Sequence, residues 1–341
     1  MAQIAVIGAG TWGTGLARLL CDNGHTVRMW CPFEEEAENL SKTHIQPNLP
    51  GIILPDALTF TSDMEDALRD KDLIVMAVAS PFTRRTAMKM VPYVKPGQKI
   101  VTVTKGIEES TLMTQAEILE ELLPGAVIGA LSGPTHAEEV IIGLPTTIIS
   151  ASYDREMAEY VQSIFMSPVF RVYTSPDVLG VELGGSLKNV IALAAGMADG
   201  MGYGDNVKAA LITRGIHEIA RLAIKMGAKK ETLQGLSGIG DLIVTCASMH
   251  SRNRRAGILI GQGKTMEEAM KEVGQTVEGV YSAKAALALA ERYDVELPIT
   301  EIVNRVLFEG KDLREGVHEL MLRDRKTENI LDYPDLPESW K

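Results

Sequence analysis

Lys188 lies within VELGGSLKNVIA (181–192), a stretch of small and apolar residues. On a helix its face would carry Val181, Gly184, Gly185, Ile191, Ala192 and Ala195, with no carboxylate among them. Burial of an ammonium group lowers its pKa, and an amine able to lose its proton near neutrality can serve as general acid and base. Taken alone, the position also fits a lysine that snorkels to water, although two adjacent glycines give its stem little to lean on. A second lysine, Lys105, stands in VTVTKGIE, just past a β-rich run, where open parallel sheets place their ligands. LSGPTHAEE puts Gly133, Pro134, Thr135 and His136 in the same kind of loop, ahead of a helix.

SMHSRNRRAG offers Ser251 as an N-cap, with Arg252 and Asn253 in the first turn. Cations are unfavourable at that positive helix end, unless an anion sits among them and the free N–H groups. A solvated basic face is the alternative. Asp241, in LSGIGDLIVTC, reads first as a cap for the helix that follows it. His136 and His217 read as packing or loop residues, and no His or Cys spacing suggests a metal.

Chemistry at these positions needs elements to hold it. Gly8, Gly10 and Gly13 form GxGxxG directly after the apolar run IAVIG (4–8), at the start of a helical stretch that ends in the Asn23-Gly24 turn before TVRMW (26–30). In that context the motif is a dinucleotide fingerprint. Gly8 permits a tight turn, Gly10 lets backbone approach a pyrophosphate, and Gly13 lets helix and strand pack closely. The helix start supplies N–H groups to the phosphates. LIVMAVA (73–79), KIVTVT (99–104), AVIGALSG (126–133), PTTIIS (145–150) and VFRVY (169–173) read as further strands. Helical stretches lie between several of them, at Trp12–Asn23, Phe82–Tyr93 and Asp154–Phe165.

Near-continuous apolar strands alternating with helices imply a parallel sheet covered on both faces. After Ser175-Pro176 the pattern is helical to about Leu322. The expected fold is therefore an α/β Rossmann-type parallel-sheet N-terminal domain (1–175) plus an all-α C-terminal domain (176–341). The polar tail from Arg323 is expected to be poorly ordered.

The net charge of −11 argues against nucleic acid or an anionic membrane as the main partner, while leaving room for a local cationic pocket. Cys21, Cys31 and Cys246 form no CxxC pair, so no disulfide framework or zinc ribbon is expected. No run is read as approaching the ~20 apolar residues of a membrane span, and no basic leader precedes the first strand. The expectation is a cytoplasmic protein without membrane insertion.

The series GAGTWGTGLA, TKGIE, SGPTHAEE, GVELGGSLKNVIALAAGMADG, LITRG, GIGDLIVTC and SRNRR resembles the bacterial-type NAD(P)-dependent glycerol-3-phosphate dehydrogenases, from about residue 3 to about 320. The resemblance implies interconversion of sn-glycerol 3-phosphate and dihydroxyacetone phosphate at a site between the two domains, supplying glycerol 3-phosphate for phospholipid synthesis. It implies Lys188 as general acid/base with Lys105 close to both cofactor and substrate. Gly133, Thr135, Asp241, Ser251, Arg252 and Asn253 would complete the substrate site. Thr11, Trp12, Ala137, Arg252, Thr276 and Glu278 would join the glycines at the cofactor, NAD or NADP. Oligomeric state is left open, a homodimer included.

The runner-up is a 3-hydroxyacid dehydrogenase of the 6-phosphogluconate-dehydrogenase-like group, which typically sets an asparagine a full turn after the lysine rather than adjacent, as in Lys188-Asn189. A non-catalytic dinucleotide sensor would be expected to have lost one of the two lysines. In the resembling family the position of Pro32 often carries Arg or His, a partner for a 2′-phosphate, and here Glu34, Glu35 and Glu36 follow it. NADH is therefore expected to serve at least as well as NADPH, unless Arg28 or another basic side chain intervenes.

Overall fold

The computed structural model describes residues 1–325 and residue 328. One sheet contains β1 (Gln3–Ile7), β2 (Thr26–Trp30), β3 (Thr59–Thr61), β4 (Leu73–Met76), β5 (Lys99–Thr102), β6 (Val127–Ser132), β7 (Thr146–Ala151) and β8 (Phe170–Ser175). The helices within this half are α1 (Thr11–Asp22), α2 (Glu34–Thr43), α3 (Met64–Leu68), α4 (Thr83–Met90), α5 (Gln115–Leu122), α6 (Ala137–Val140) and α7 (Arg155–Phe165). A helical half follows, with α8 (Val178–Gly200), α9 (Asp205–Met226), α10 (Lys230–Leu233), α11 (Asp241–Ala247) and α12 (Arg252–Gly261). It ends with α13 (Met266–Val273), α14 (Glu278–Arg292), α15 (Pro298–Phe308) and α16 (Leu313–Met321).

The strand order is β3-β2-β1-β4-β5-β6-β7-β8. From β1 the chain winds outward to β2 and β3, then returns to the other side of β1 as β4. That reversal opens a crevice beyond the carboxyl ends of β1 and β4. Both strands are apolar runs with almost every residue buried, because helices cover both faces. Gly8 ends β1 at φ +116°, where an added Cβ would lie 3.0 Å from the backbone of Ala77 and Val78. The fingerprint turn therefore packs directly on the loop after β4.

The expected all-parallel sheet needs one correction: β7 runs antiparallel to β6, with Leu131 opposite Ser150. A parallel return requires a crossover that spans the sheet, and the link from β6 contains only the four-residue α6. Eleven-residue α7 does make such a crossover, and β8 is parallel to β7. The three-residue edge strand β3 was not expected, being too short to show a period.

A second correction concerns α8, which is long and apolar enough to cross a membrane by length and composition. It is instead the core of the helical half, with 94% of its apolar window buried inside the protein. Such all-round apolarity is what a central core helix requires. Beyond residue 325 the expected disordered tail lies outside the described residues, residue 328 apart.

Candidate active site

Glycines set the distance between α8 and α12. An added Cβ on Gly257 would lie 2.2 Å from Leu193 O, and one on Gly261 2.3 Å from Met197 O. From the other side, Gly196 and Gly200 would meet Arg254 O and Ile258 O at 2.1 and 2.2 Å. Both pairs advance by four residues together, so the helices run parallel and nearly touch. One turn earlier in the same register, Asn253 Nδ2 donates to Asn189 Oδ1 at 2.9 Å. The start of α12, with Arg252, is thereby set level with Lys188.

Lys188 is buried and finds its carboxylate on another element. Its Nζ donates to Asp241 Oδ1 at 2.6 Å and to Thr245 Oγ1 at 2.5 Å. Lys105 Nζ reaches the other oxygen of Asp241 at 2.7 Å, and also donates to Gly133 O at 2.9 Å and Thr135 Oγ1 at 3.3 Å. Asp241 opens α11 without acting as its cap; its carboxylate instead bridges two ammonium groups. Burial is the largest influence on Lys188 and lowers its pKa to about 8, opposed by Asp241 and reinforced by Lys105. The adjacent glycines have a use of their own. Gly184 admits Ser237 O, 2.4 Å from where its Cβ would sit, and Gly185 admits Ser132 Oγ, 2.6 Å from where its Cβ would sit.

Both lysines line a cleft of about 340 Å³. On one wall Ser251 Oγ accepts from Arg254 N, the expected N-cap, which leaves the first two N–H groups of α12 without a cap. Arg252 lines the cleft and has no hydrogen bond or ion pair to the described residues. Arg254 does not share that role, because Asp199 holds its guanidinium at 2.7 and 2.8 Å. Asn253 also differs from expectation: its amide is committed to Asn189 and, as acceptor at 2.8 Å, to Gly279 N.

The opposite wall is the fingerprint loop. Gly10, Thr11 and Trp12 line the cleft, whereas Gly8 and Gly13 pack behind it, with a Gly13 Cβ placed 2.3 Å from Gly8 O. Gly10 is the N-cap residue of α1 and offers no side-chain cap, so the leading N–H groups of the helix are left uncapped where Thr11 and Trp12 line the cleft. Trp12 Nε1 is buried with no hydrogen-bond partner among the described residues. Open space above Gly10, uncapped N–H groups and an orphaned indole donor fit a dinucleotide diphosphate.

Ala137 and Thr276 line the same cleft. So does Glu278, a buried carboxylate that accepts from Ser80 N at 3.1 Å and from Ser80 Oγ. Burial raises its pKa. Ser80 belongs to the sheet half and Glu278 to α14, so the pair ties the two halves together. Arg28, within β2, is committed to Asp66, while Lys89 Nζ lies 5.6 Å from the ring centroid of Trp30 at the end of that strand.

Sequence reasoning missed Thr245, Asn189 and Ser80. Thr245 had a local signal, since it lies one turn after Asp241 on α11 and so shares its face. Asn189 and Ser80 act through partners 64 and 198 residues away, which no local pattern reveals. His136, read as a packing residue, also lines the cleft, with Nε2 buried and unpartnered; burial and Lys188 lower its pKa.

Models of the NAD-dependent glycerol-3-phosphate dehydrogenase N-terminus and C-terminus match residues 3–158 and 177–318. A glycerol-3-phosphate dehydrogenase (NAD(P)+) of Agathobacter rectalis is 63% identical over 330 residues, covering 96% of this chain and 98% of its own. That of Bacillus subtilis is 47% identical over 332 residues, 96% of each chain. The crystal structure of glycerol-3-phosphate dehydrogenase from Coxiella burnetii superposes with a TM-score of 0.91 at 36% identity, over 94% of this chain and 99% of that one. With matches along both halves and a cleft built from the motifs they share, the chain belongs to the family of NAD-dependent glycerol-3-phosphate dehydrogenases.

Proposed function

We propose that the chain interconverts sn-glycerol 3-phosphate and dihydroxyacetone phosphate with NAD or NADP, using Lys188 as the group that moves the proton. One observation carries this reading. Lys188 has two of its three N–H bonds engaged, its pKa is about 8, and it faces the cleft. The third N–H is available to a substrate oxygen.

Gly10, Thr11, Trp12, Ala137, Thr276 and Glu278 hold the cofactor, which when bound supplies or accepts the hydride at the substrate carbon. Gly8 and Gly13 shape that loop from behind. In reduction Lys188 donates its proton to the oxygen of the former carbonyl; in oxidation its neutral amine takes the hydroxyl proton. Lys105, held by Gly133, Thr135 and Asp241, places a fixed positive charge beside that oxygen. The substrate phosphate rests at the start of α12, on the Arg252 guanidinium and the N–H groups of Arg252 and Asn253, with Ser251 capping the turn. This differs from a phosphate contact through the Asn253 side chain, which is already committed. Residues 1–175 thus serve chiefly the cofactor and the helical half the substrate. Glycerol 3-phosphate formed this way is a precursor for phospholipids, and a cytoplasmic enzyme is the setting that suits this supply.

Reduction of dihydroxyacetone phosphate, assayed with NADH and NADPH in parallel, tests the reading, with unphosphorylated dihydroxyacetone as control. Turnover with the phosphorylated ketone and little with the control is expected. No turnover with either cofactor would sink the proposal.

A further inference from the structure

Lys105 reaches Asp241 from a hairpin. Ile107 bridges Thr114 antiparallel, Glu108 N donates to Met113 O at 3.0 Å, and Gln115 Nε2 closes the base by donating to Gly106 O at 2.9 Å. The hairpin is fastened to α8 at both ends of that base. Ser186 Oγ accepts from Gly106 N at 2.8 Å. One turn earlier on α8, Glu182 Oε1 accepts from Ala116 N, in the first turn of α5, at 2.9 Å. Between the two fastenings, Gly185 admits Ser132 Oγ, 2.6 Å from where its Cβ would sit, with the Lys105 stem in ordinary contact at 3.6 Å.

Glu182 is an unusual group for this position. It is buried, and among the described residues no cation is bonded to it and its Oε2 has no hydrogen-bond partner. Burial raises its pKa to about 7, opposed by Thr114 and the Ala116 N–H and reinforced by Glu117 and Glu120 on α5. Burying a carboxyl group in this way is costly, so its hydrogen bonds with Thr114 and the Ala116 N–H, at the start of α5, set its place.

We infer that Glu182 is a positioning residue for the reaction. By holding the first turn of α5 it clamps the Lys105 hairpin to α8, so that Lys105 and Lys188 meet on one carboxylate. The inference rests on the reading of Lys188 as proton carrier and adds to it the element that sets its charged neighbour. Lys188 is faced by Asp241, Thr245 and Cys246 from α11, by Lys105 from the hairpin, and by His136 from the loop after β6. Lys105 lowers the Lys188 pKa while Asp241 raises it. An opened clamp withdraws Lys105, leaves Asp241 to Lys188 alone, and moves that pKa upward.

The test is the pH dependence of kcat/KM for glycerol 3-phosphate oxidation in the full-length wild type, Glu182→Ala, Glu182→Gln and Gln115→Ala. Glu182→Ala is expected to lose about tenfold in kcat/KM, the scale of a modest misplacement, with NADH affinity retained. Its rising limb is expected to move up by about half a pH unit or more. Glu182→Gln keeps an acceptor oxygen and is expected to keep the wild-type limb. Loss of fold alone would lower activity without moving the limb. Should Glu182→Ala fail to fold, Gln115→Ala, which frees the hairpin base, carries the same expected shift. An unmoved limb in the folded variant, or an equal shift in Glu182→Gln, overturns the clamp alone. A wild type with no limb near 8 overturns the clamp together with the Lys188 reading.

Discussion

Lys105 and Lys188 share one carboxylate and differ in everything else. Lys105 spends its three N–H bonds on Gly133, Thr135 and Asp241, and its side chain is 16% exposed against 7% for Lys188. Lys188 spends two and is held at a pKa of about 8. An ammonium with every donor engaged is a fixed charge. One with a donor to spare and a pKa near neutrality can give its proton to substrate and recover it. On the proposed reading, the two roles follow from partner count and burial, not from residue type.

The sharpest way to break this comparison is to remove the mobile proton. Lys188→Ala is expected to lower kcat by about 10²–10⁴-fold while NADH affinity, measured by fluorescence titration, stays close to wild type. Near-normal turnover would reassign the proton.

Arg252 is the next cation to test, because its guanidinium has no hydrogen bond or ion pair among the described residues. Arg252→Ala should cost about 1.5–3 kcal/mol of a charge-assisted contact, read mainly as a raised KM for dihydroxyacetone phosphate. The variant should also discriminate less against unphosphorylated dihydroxyacetone. Undiminished discrimination would place the phosphate elsewhere.

Gly257→Ala probes the register that brings Arg252 level with Lys188. Its Cβ would fall 2.2 Å from Leu193 O, and overpacking of this kind costs about 1–3 kcal/mol. A lowered melting temperature together with a raised KM is expected. A melting temperature equal to wild type would show that the helices have room to separate.

The smallest expected effect concerns the far end of the cofactor. With Pro32 after β2 and Arg28 bound to Asp66, NADH is expected to serve at least as well as NADPH. A kcat/KM for NADPH more than about tenfold higher would require a 2′-phosphate partner, of the Arg type such sites use.

The sheet half was readable because each fingerprint residue lies close in sequence to the strand and helix it joins. Gly8 and Gly13 touch each other and the neighbouring loop. Two features escaped that reading, β3 and the direction of β7, which depend on what packs alongside; in the helical half, the length and apolarity of α8 escaped it too. At the site the sequence marked both lysines and Asp241 but not their bonding. Lys188 looked like an amine without a carboxylate because its partner is 53 residues away, on a different helix. Asp241 looked like a cap for the same reason. Arg252 and Arg254 are alike in sequence; Asp199, brought in by the approach of α8 and α12, and the Ala247 carbonyl separate them.

The central claim is that Lys188 moves the proton, and the pH dependence of kcat/KM in both directions tests it most directly. Reduction needs the ammonium form, so its rate should fall as pH rises through about 8. Oxidation needs the neutral amine, so its rate should rise through the same pKa. The expected result is two mirrored one-proton limbs that share a midpoint and are both lost in Lys188→Ala. Limbs with different midpoints, or a limb that persists unchanged in that variant, would contradict the account.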